Sequence, residues 1–285
     1  MTTSSHPDAQ IRAHHHARLE RVLLILLAIV AAYTAIAYVA LPALWSHHEH
    51  QKGLAGLPMV TRTAQGIPGD PINVGLIGNE KEVLCAMNAA GWFPADPVTL
   101  KSSIEIAGSV LFDRAYKGAP VSPLFYLGRR EDFAFEKPAG KSADRRHHVR
   151  FWKVLDKGAE QRPVWLGAVT FDKGVGVSHF TGAITHHIDA DIDAERELLA
   201  GDIERAGMAT AKYQVTGIGL TLTARNGGGD LYYTDGEVWL LRLVADCEKQ
   251  EGPVATLPSP PATELKDQIW HAIEQSLPEI SPVKP

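Results

Sequence analysis

The hydrophobic positions of the chain fall into distinct regimes. Between residues 22 and 45 no side chain is charged, and Leu, Ile, Val and Ala dominate. At about 1.5 Å per residue, such a run is long enough to cross a hydrocarbon core of about 30 Å. Tyr33 and Tyr38 lie within it, Trp45 closes it where interfacial aromatics belong, and Pro42 sits in the last turn, where a lost backbone bond matters least. A cleavable signal peptide is the competing reading, with Ala35-Ile36-Ala37 as its cleavage site. Signal cores run about 7–15 residues, however, and apolar sequence continues past Ala37. Residues 22–45 are therefore read as a retained transmembrane helix in contact with the lipid bilayer. Residues 1–21 are read as a cytoplasmic tail, and residues 46–69, polar and rich in Gly and Pro, as a tether.

Beyond the tether the pattern becomes that of a mixed domain over residues 70–248. An apolar run over residues 71–78 predicts a buried strand. Asn79 caps a helix that reaches Ala90 and stops at Gly91, and Thr99 caps a second helix through about Phe112. Alternating runs at 124–127, 133–137, 147–154, 164–171 and 175–180 predict strands. A third helix is expected over residues 191–207, followed by strands at 212–225, 230–234 and 238–245, with Asn226-Gly227 and Asp235-Gly236 as hairpin turns. Long strands joined by tight turns with three or four helices predict an α+β fold with a mostly antiparallel sheet. Residues 249–285 form a proline-rich tail that is expected to stay out of any sheet. Within it Leu265, Ile269, Trp270, Ile273 and Leu277 are spaced as on a short amphipathic helix, expected to dock on the domain.

Composition narrows the classes. A formal net charge of -5 argues against a nucleic-acid partner. With only 2 Cys, neither a disulfide-rich miniature nor a Cys-based zinc site can be built, and Cys85 and Cys247 read equally as a disulfide or as two buried thiols. Arg12, Arg18 and Arg21 precede the apolar run, while Lys52 and Arg62 follow at greater distance. The positive-inside rule then puts the N-terminus in the cytoplasm and the bulk of the chain outside it.

Two segments could carry chemistry. The first is Arg145-Arg146-His147-His148-Val149-Arg150-Phe151-Trp152. On a strand, alternate residues share a face, so Arg146, His148, Arg150 and Trp152 form a basic row with an aromatic end, able to grip an anionic group. The second is Thr185-His186-His187-Ile188-Asp189-Ala190-Asp191-Ile192-Asp193-Ala194-Glu195-Arg196-Glu197. His186 and His187 are candidate ligand-binding residues, and with Asp189 they are the candidate ligands of a divalent metal, although no standard spacing is present. No cofactor is otherwise expected. A purely structural account of the second segment is also available, with Asp191 as an N-cap and Asp193 and Glu195 facing the positive end of the helix dipole. The basic row and this acidic cluster are expected to meet in one polar site.

Taken together, several stretches resemble the LssY C-terminal domain family of bacterial envelope proteins. They are Asp70-Pro71-Ile72-Asn73, Ala90-Gly91-Trp92-Phe93-Pro94-Ala95-Asp96-Pro97, Ala119-Pro120-Val121-Ser122-Pro123-Leu124 and Gly128-Arg129-Arg130-Glu131-Asp132-Phe133-Ala134-Phe135-Glu136-Lys137-Pro138. Arg146-His147-His148-Val149-Arg150-Phe151-Trp152, Pro163-Val164-Trp165-Leu166-Gly167-Ala168 and the Thr185–Arg196 segment complete the set, which covers about residues 70–245. In longer relatives the domain follows polytopic membrane regions similar to phosphatidic-acid-type phosphatases and DedA-like transporters. The resemblance thus implies an envelope or lipid-phosphate context and transfers no activity; with the apolar helix, the expected location is the bacterial inner membrane.

Two functions follow as expectations. One is a membrane-tethered binding domain for an anionic envelope ligand, a lipid or a glycan, or for a membrane protein partner. The alternative is a hydrolase, metal-dependent or not, acting on a phosphorylated lipid or glycan. His147 or His148 converging with His186 or His187 within metal-ligand distance in a concave pocket would favour the enzyme; dispersed, singly hydrogen-bonded histidines would not.

Overall fold

The computed structural model describes residues 7–54, 56–95, 123–140, 145–182, 184–215, 223–259 and 261–274. The helix expected at 99–112 lies outside these residues. The chain divides into two compact units, residues 1–49 and 50–285.

The first unit is helical: α1 (Pro7–Ala35), a π-helical turn (Ile36–Ala40) and α2 (Leu41–His48). The wide turn has a local cause. Pro42 has no N–H to offer the Tyr38 carbonyl and its ring crowds that group, so the helix widens just before it. Between His16 and Leu44 an 18-residue stretch of the helix reaches a mean hydropathy of 2.6, and none of that stretch is buried. Leu23, Leu24, Ile25, Leu26 and Leu27 are all exposed, and five successive residues cover every side of a helix. A helix apolar all round is stable in lipid rather than in water. Among the described residues there is thus one helix long and apolar enough to cross a membrane.

The second unit is α+β. Its central nine-stranded sheet contains, in spatial order, β15 (Ala255–Thr256), β11 (Ala209–Val215), β14 (Val238–Leu243), β3 (Val74–Ile77), β9 (Val164–Val177), β8 (Arg146–Leu155), β7 (Phe133–Pro138) and β4 (Phe93–Pro94), with β10 (Ile184–Ile188) also paired to β9. The β14–β3 and β11–β15 pairs are parallel and the others antiparallel. A second sheet orders β2 (Pro68–Pro71), β1 (Val60–Thr63), β5 (Leu124–Tyr126) and β6 (Arg129–Arg130), and β12 (Thr223–Arg225) pairs with β13 (Leu231–Tyr233).

Strand alternation sorts the core. On one face Val149, Phe151, Trp165 and Val169 pack with Met87 of α3 (Glu80–Ala89) and with Leu199 and Ile203 of α4 (Ile192–Arg205). On the other, Trp152, Leu166 and Leu240 pack with Leu54, Leu124 and Tyr126 of the smaller sheet's side. Both helices start as their sequences dictate. Asn79 accepts from the Glu82 N–H while Glu82 Oε2 accepts from the Asn79 N–H, a reciprocal cap, and the Asp191 side chain accepts from Ala194 N–H. Gly91, at φ 80, ends α3 in the left-handed turn that glycine adopts without strain.

Several expectations are corrected. The strands expected at 164–171 and 175–180 are one strand, β9, because β8 pairs along its first half and β10 along its second. The segment read as a tether is largely part of the domain: β1 and the start of β2 lie in it, and Gln51, Leu54 and Thr61 are buried. The tail does enter a sheet, since Ala255-Thr256 adds a short parallel edge strand after Pro253, where no ladder N–H is lost. In its helix, α5 (Pro261–Glu274), Leu265 and Ile269 are exposed. Asp235-Gly236 does not close a hairpin, because β13 pairs with β12 and β14 pairs with β11 and β3. Of the two readings left open for the cysteines, the disulfide is the one found: Cys85 and Cys247 are bonded to each other.

Candidate functional site

The basic row forms on β8 as its alternation dictates: Arg146, His148, Arg150 and Trp152 share a face and all are buried. Trp152 belongs to the apolar cluster, its ring 5.7 Å from that of Tyr126 and its Nε1–H on the Arg129 carbonyl, so it is a core residue. The other three lie where the sheet offers small or polar neighbours. Arg150 is flanked across the sheet by Ala134 and Ala168, and His148 by Glu136 and Thr170. Without large side chains beside them, a cavity of about 240 Å³ remains between this face and the smaller sheet.

Its walls come from every nearby element. His148 and Arg150 come from β8, Asp172 from β9, His186 from β10, Asp70 from β2, and Asn226 with Gly227 and Gly228 from the β12–β13 turn. Arg150 Nη1 is 3.3 Å from Asp70 Oδ2, and the other Asp70 oxygen accepts from Asn226 Nδ2 at 3.4 Å. Beneath them Arg146 is wholly committed. Its Nη1 donates to Glu136 at 2.9 Å, its Nε to Asp172 at 3.2 Å, and its Nη2 approaches His186 Nε2 at 3.3 Å. Arginine only donates, so His186 Nε2 is the acceptor and its ring proton sits on Nδ1, 3.8 Å from Asp172.

His148 is not bonded into this network. It is 1 % exposed, and its Nε2 has no hydrogen-bond partner among the described residues. Burial holds its imidazole well below the usual histidine range, and the charges of Arg150 and Arg146 push it further down. The ring is therefore neutral near pH 7, and the potential around it is positive. The acidic wall behaves oppositely. Burial raises the Asp70 carboxyl against the pull of Arg150, and Asp172 adds to the rise. Glu136 is raised by burial as well, with Arg146 opposing. The cavity is thus bipolar, with one cationic and imidazole wall facing one of carboxyls and amide.

The structure brings Arg146, His148, Arg150 and His186 together, but the acids that meet them are not those of the 189–197 run. Asp189 accepts from the Asp191 N–H. Asp193 accepts from Thr234 and Asp235 beside Arg196, which is itself gripped through two nitrogens by Asp235. Glu195 pairs at 2.8 Å with His147, on the opposite face of β8. His187 turns away from His186 along β10; its Nδ1 lies 2.6 Å from Asp230 and its ring covers Gly176, where a Cβ would fall 2.1 Å from Nε2. His186, His187 and Asp189 therefore do not converge. Among the described residues no group of three or more His, Cys, Asp or Glu side chains is placed to hold a metal ion. The answering acids are Asp70, Glu136 and Asp172, none of them singled out from sequence. Asp172 did carry a signal, as a charge following an apolar strand run, and Asp70 lay in a motif that marked only where the domain begins.

No curated protein and no solved structure matches the chain. The family model described as LssY C-terminus matches residues 54–238. That span starts at Leu54, which is fully buried in the globular unit, and ends in β14 at Val238. All the residues lining the cavity fall inside it, and the chain belongs to the LssY C-terminal domain family.

Proposed function

We propose that this chain is a single-pass bacterial inner-membrane protein whose LssY C-terminal domain, outside the cytoplasm, binds an anionic group carried on a hydroxyl-bearing headgroup of an envelope lipid or glycan. One observation carries the reading: a single polar cavity gathers Arg150, His148 and His186 on one side and Asp70, Asp172 and Asn226 on the other. A phosphate or carboxylate suits the first wall, where the potential is positive and a planar guanidinium can fork onto two oxygens. Ligand hydroxyls suit the second, as donors to carboxylates. A volume of about 240 Å³ is below the range of about 300–1,000 Å³ typical of drug-sized ligands, so a headgroup fits and a whole lipid does not. The apolar N-terminal helix supplies the anchor. The Cys85–Cys247 bond supports an oxidising compartment for the domain.

The test is calorimetric titration of the purified full chain in detergent with sulfate and with glycerol 3-phosphate. Binding of both is expected, with glycerol 3-phosphate the tighter because it also engages the acidic wall. Arg150→Lys keeps the charge but loses the fork, and should weaken both by about tenfold or more. Absence of binding by either anion, or equal affinities in the variant, would overturn the reading. One further observation favours hydrolysis as a second reading: the raised Asp70 carboxyl beside Asp172 can hold a proton for transfer. Phosphate released from glycerol 3-phosphate in the same titration, and lost in Asp70→Asn, would establish it.

A further inference from the structure

We propose, building on that anion-binding reading, that an anion entering the cavity is bound together with one proton, which settles on the imidazole of His148. The geometry around this ring is unusual. It is buried on β8 between Arg146 and Arg150, two residues away on either side and on the same face. The groups facing it from the packed elements are Glu136 on β7 and Thr170 on β9, each directly opposite, Asp172 one rung further along β9, His186 on β10 and Asp70 on β2. Every carboxylate in this set already faces an arginine: Glu136 and Asp172 are bonded to Arg146, and Asp70 to Arg150. None of them is hydrogen-bonded to His148, whose Nε2 has no partner among the described residues.

A neutral imidazole has one N–H and one lone pair. Near two fixed guanidinium charges and out of water, the second proton is disfavoured. An anion in the cavity changes both conditions. It offsets the field of Arg150 and Arg146, and its oxygens accept where the ring otherwise has no acceptor. The imidazolium, with two N–H donors, then becomes the better partner. The proton comes from solvent, adds to the lone pair of a ring nitrogen, and no covalent bond breaks. The sign follows from linkage: a ligand that raises the pKa of a group takes up protons on binding, so it binds more tightly as pH falls. Coupling is greatest between the lowered value of the free ring and the higher value of the ring with anion bound. Asp70 and Glu136, whose carboxyls are also raised, compete for the same proton.

Sulfate is the probe, because it does not itself titrate in this range, and the full chain in detergent is titrated in buffers of different ionisation enthalpy. Sulfate affinity is expected to rise as pH falls by up to about tenfold per unit, with uptake approaching one proton per sulfate. His148→Gln should bind sulfate with an affinity independent of pH and without proton uptake. The unsubstituted chain provides a second readout that needs no variant: with nitrogen-15-labelled histidine, sulfate added at constant pH should turn one buried neutral ring into the doubly protonated form. A wild-type affinity independent of pH, or no change in any histidine ring, overturns the coupling. Uptake retained in His148→Gln places the proton on Asp70 or Glu136 and also overturns it. Absence of sulfate binding at every pH instead removes the anion-binding reading on which the coupling rests.

Discussion

At the scale of single residues, Asn73 shows how one polar side chain holds the site's sheet together. β9 carries β3 along one end of an edge and β10 along the other, with a gap between the two partners. Asn73, 1 % exposed, fills that gap as a strand would. Its Nδ2 donates to the Val169 carbonyl at 3.0 Å and its Oδ1 accepts from the Val169 N–H at 3.0 Å. The same Nδ2 lies 3.1 Å from the Ile192 carbonyl, at the start of α4. Asn73→Ala leaves buried backbone groups without partners, at about 1–3 kcal/mol for each one stranded, so a loss of about 3 kcal/mol is expected in chemical denaturation. A loss below about 1 kcal/mol would mean that water reaches β9 and replaces the side chain.

At the scale of elements, the Cys85–Cys247 bond ties α3 to the turn that follows β14. That turn is strained: Asp246 and Cys247 have φ of 53 and 65, a region that costs non-glycine residues about 1–2 kcal/mol each. The disulfide holds it, helped by Glu82 Oε1, which accepts from the Asp246 N–H at 3.3 Å. The bond closes a loop of 162 residues, for which chain entropy gives about 5 kcal/mol; strain released from the turn reduces that figure. Cys85→Ser should therefore lower the unfolding temperature of the domain clearly, and reduction of the wild type should do the same. Equal unfolding temperatures in oxidised and reduced protein would show that packing of α3 alone fixes the turn.

The same scale explains what was legible in advance. The face shared by Arg146, His148, Arg150 and Trp152 could be read because strand alternation does not depend on topology. The caps at Asn79 and Asp191 could be read because capping is local. The acids opposite the arginines could not, because proximity along the chain pointed to residues 189–197, whereas the sheet order places β2, β7 and β9 beside β8 or over it. Short strands such as β1, β2 and β15 escaped notice because Gly and Pro at sheet edges look like linker composition.

At the scale of the whole molecule, charge and redox chemistry point the same way. Arg12, Arg18 and Arg21 lie in α1 just before its uncharged run, while Arg62 lies in β1 of the folded domain, where the positive-inside rule gives it little weight. A disulfide in that domain persists only where thiols are not kept reduced. Embedding the exposed leucines, isoleucines and valines of α1 in lipid is favourable by tens of kcal/mol at roughly 0.025 kcal/mol per Å², far more than a peripheral contact supplies. The chain should thus stay with the membrane after alkaline extraction. A reporter active only outside the cytoplasm, fused after Pro285, should be active, and Cys85 and Cys247 should resist alkylation until a reductant is added. Activity only of a cytoplasmic reporter would reverse the orientation. A soluble product starting near Tyr38 would show that the helix is removed rather than retained.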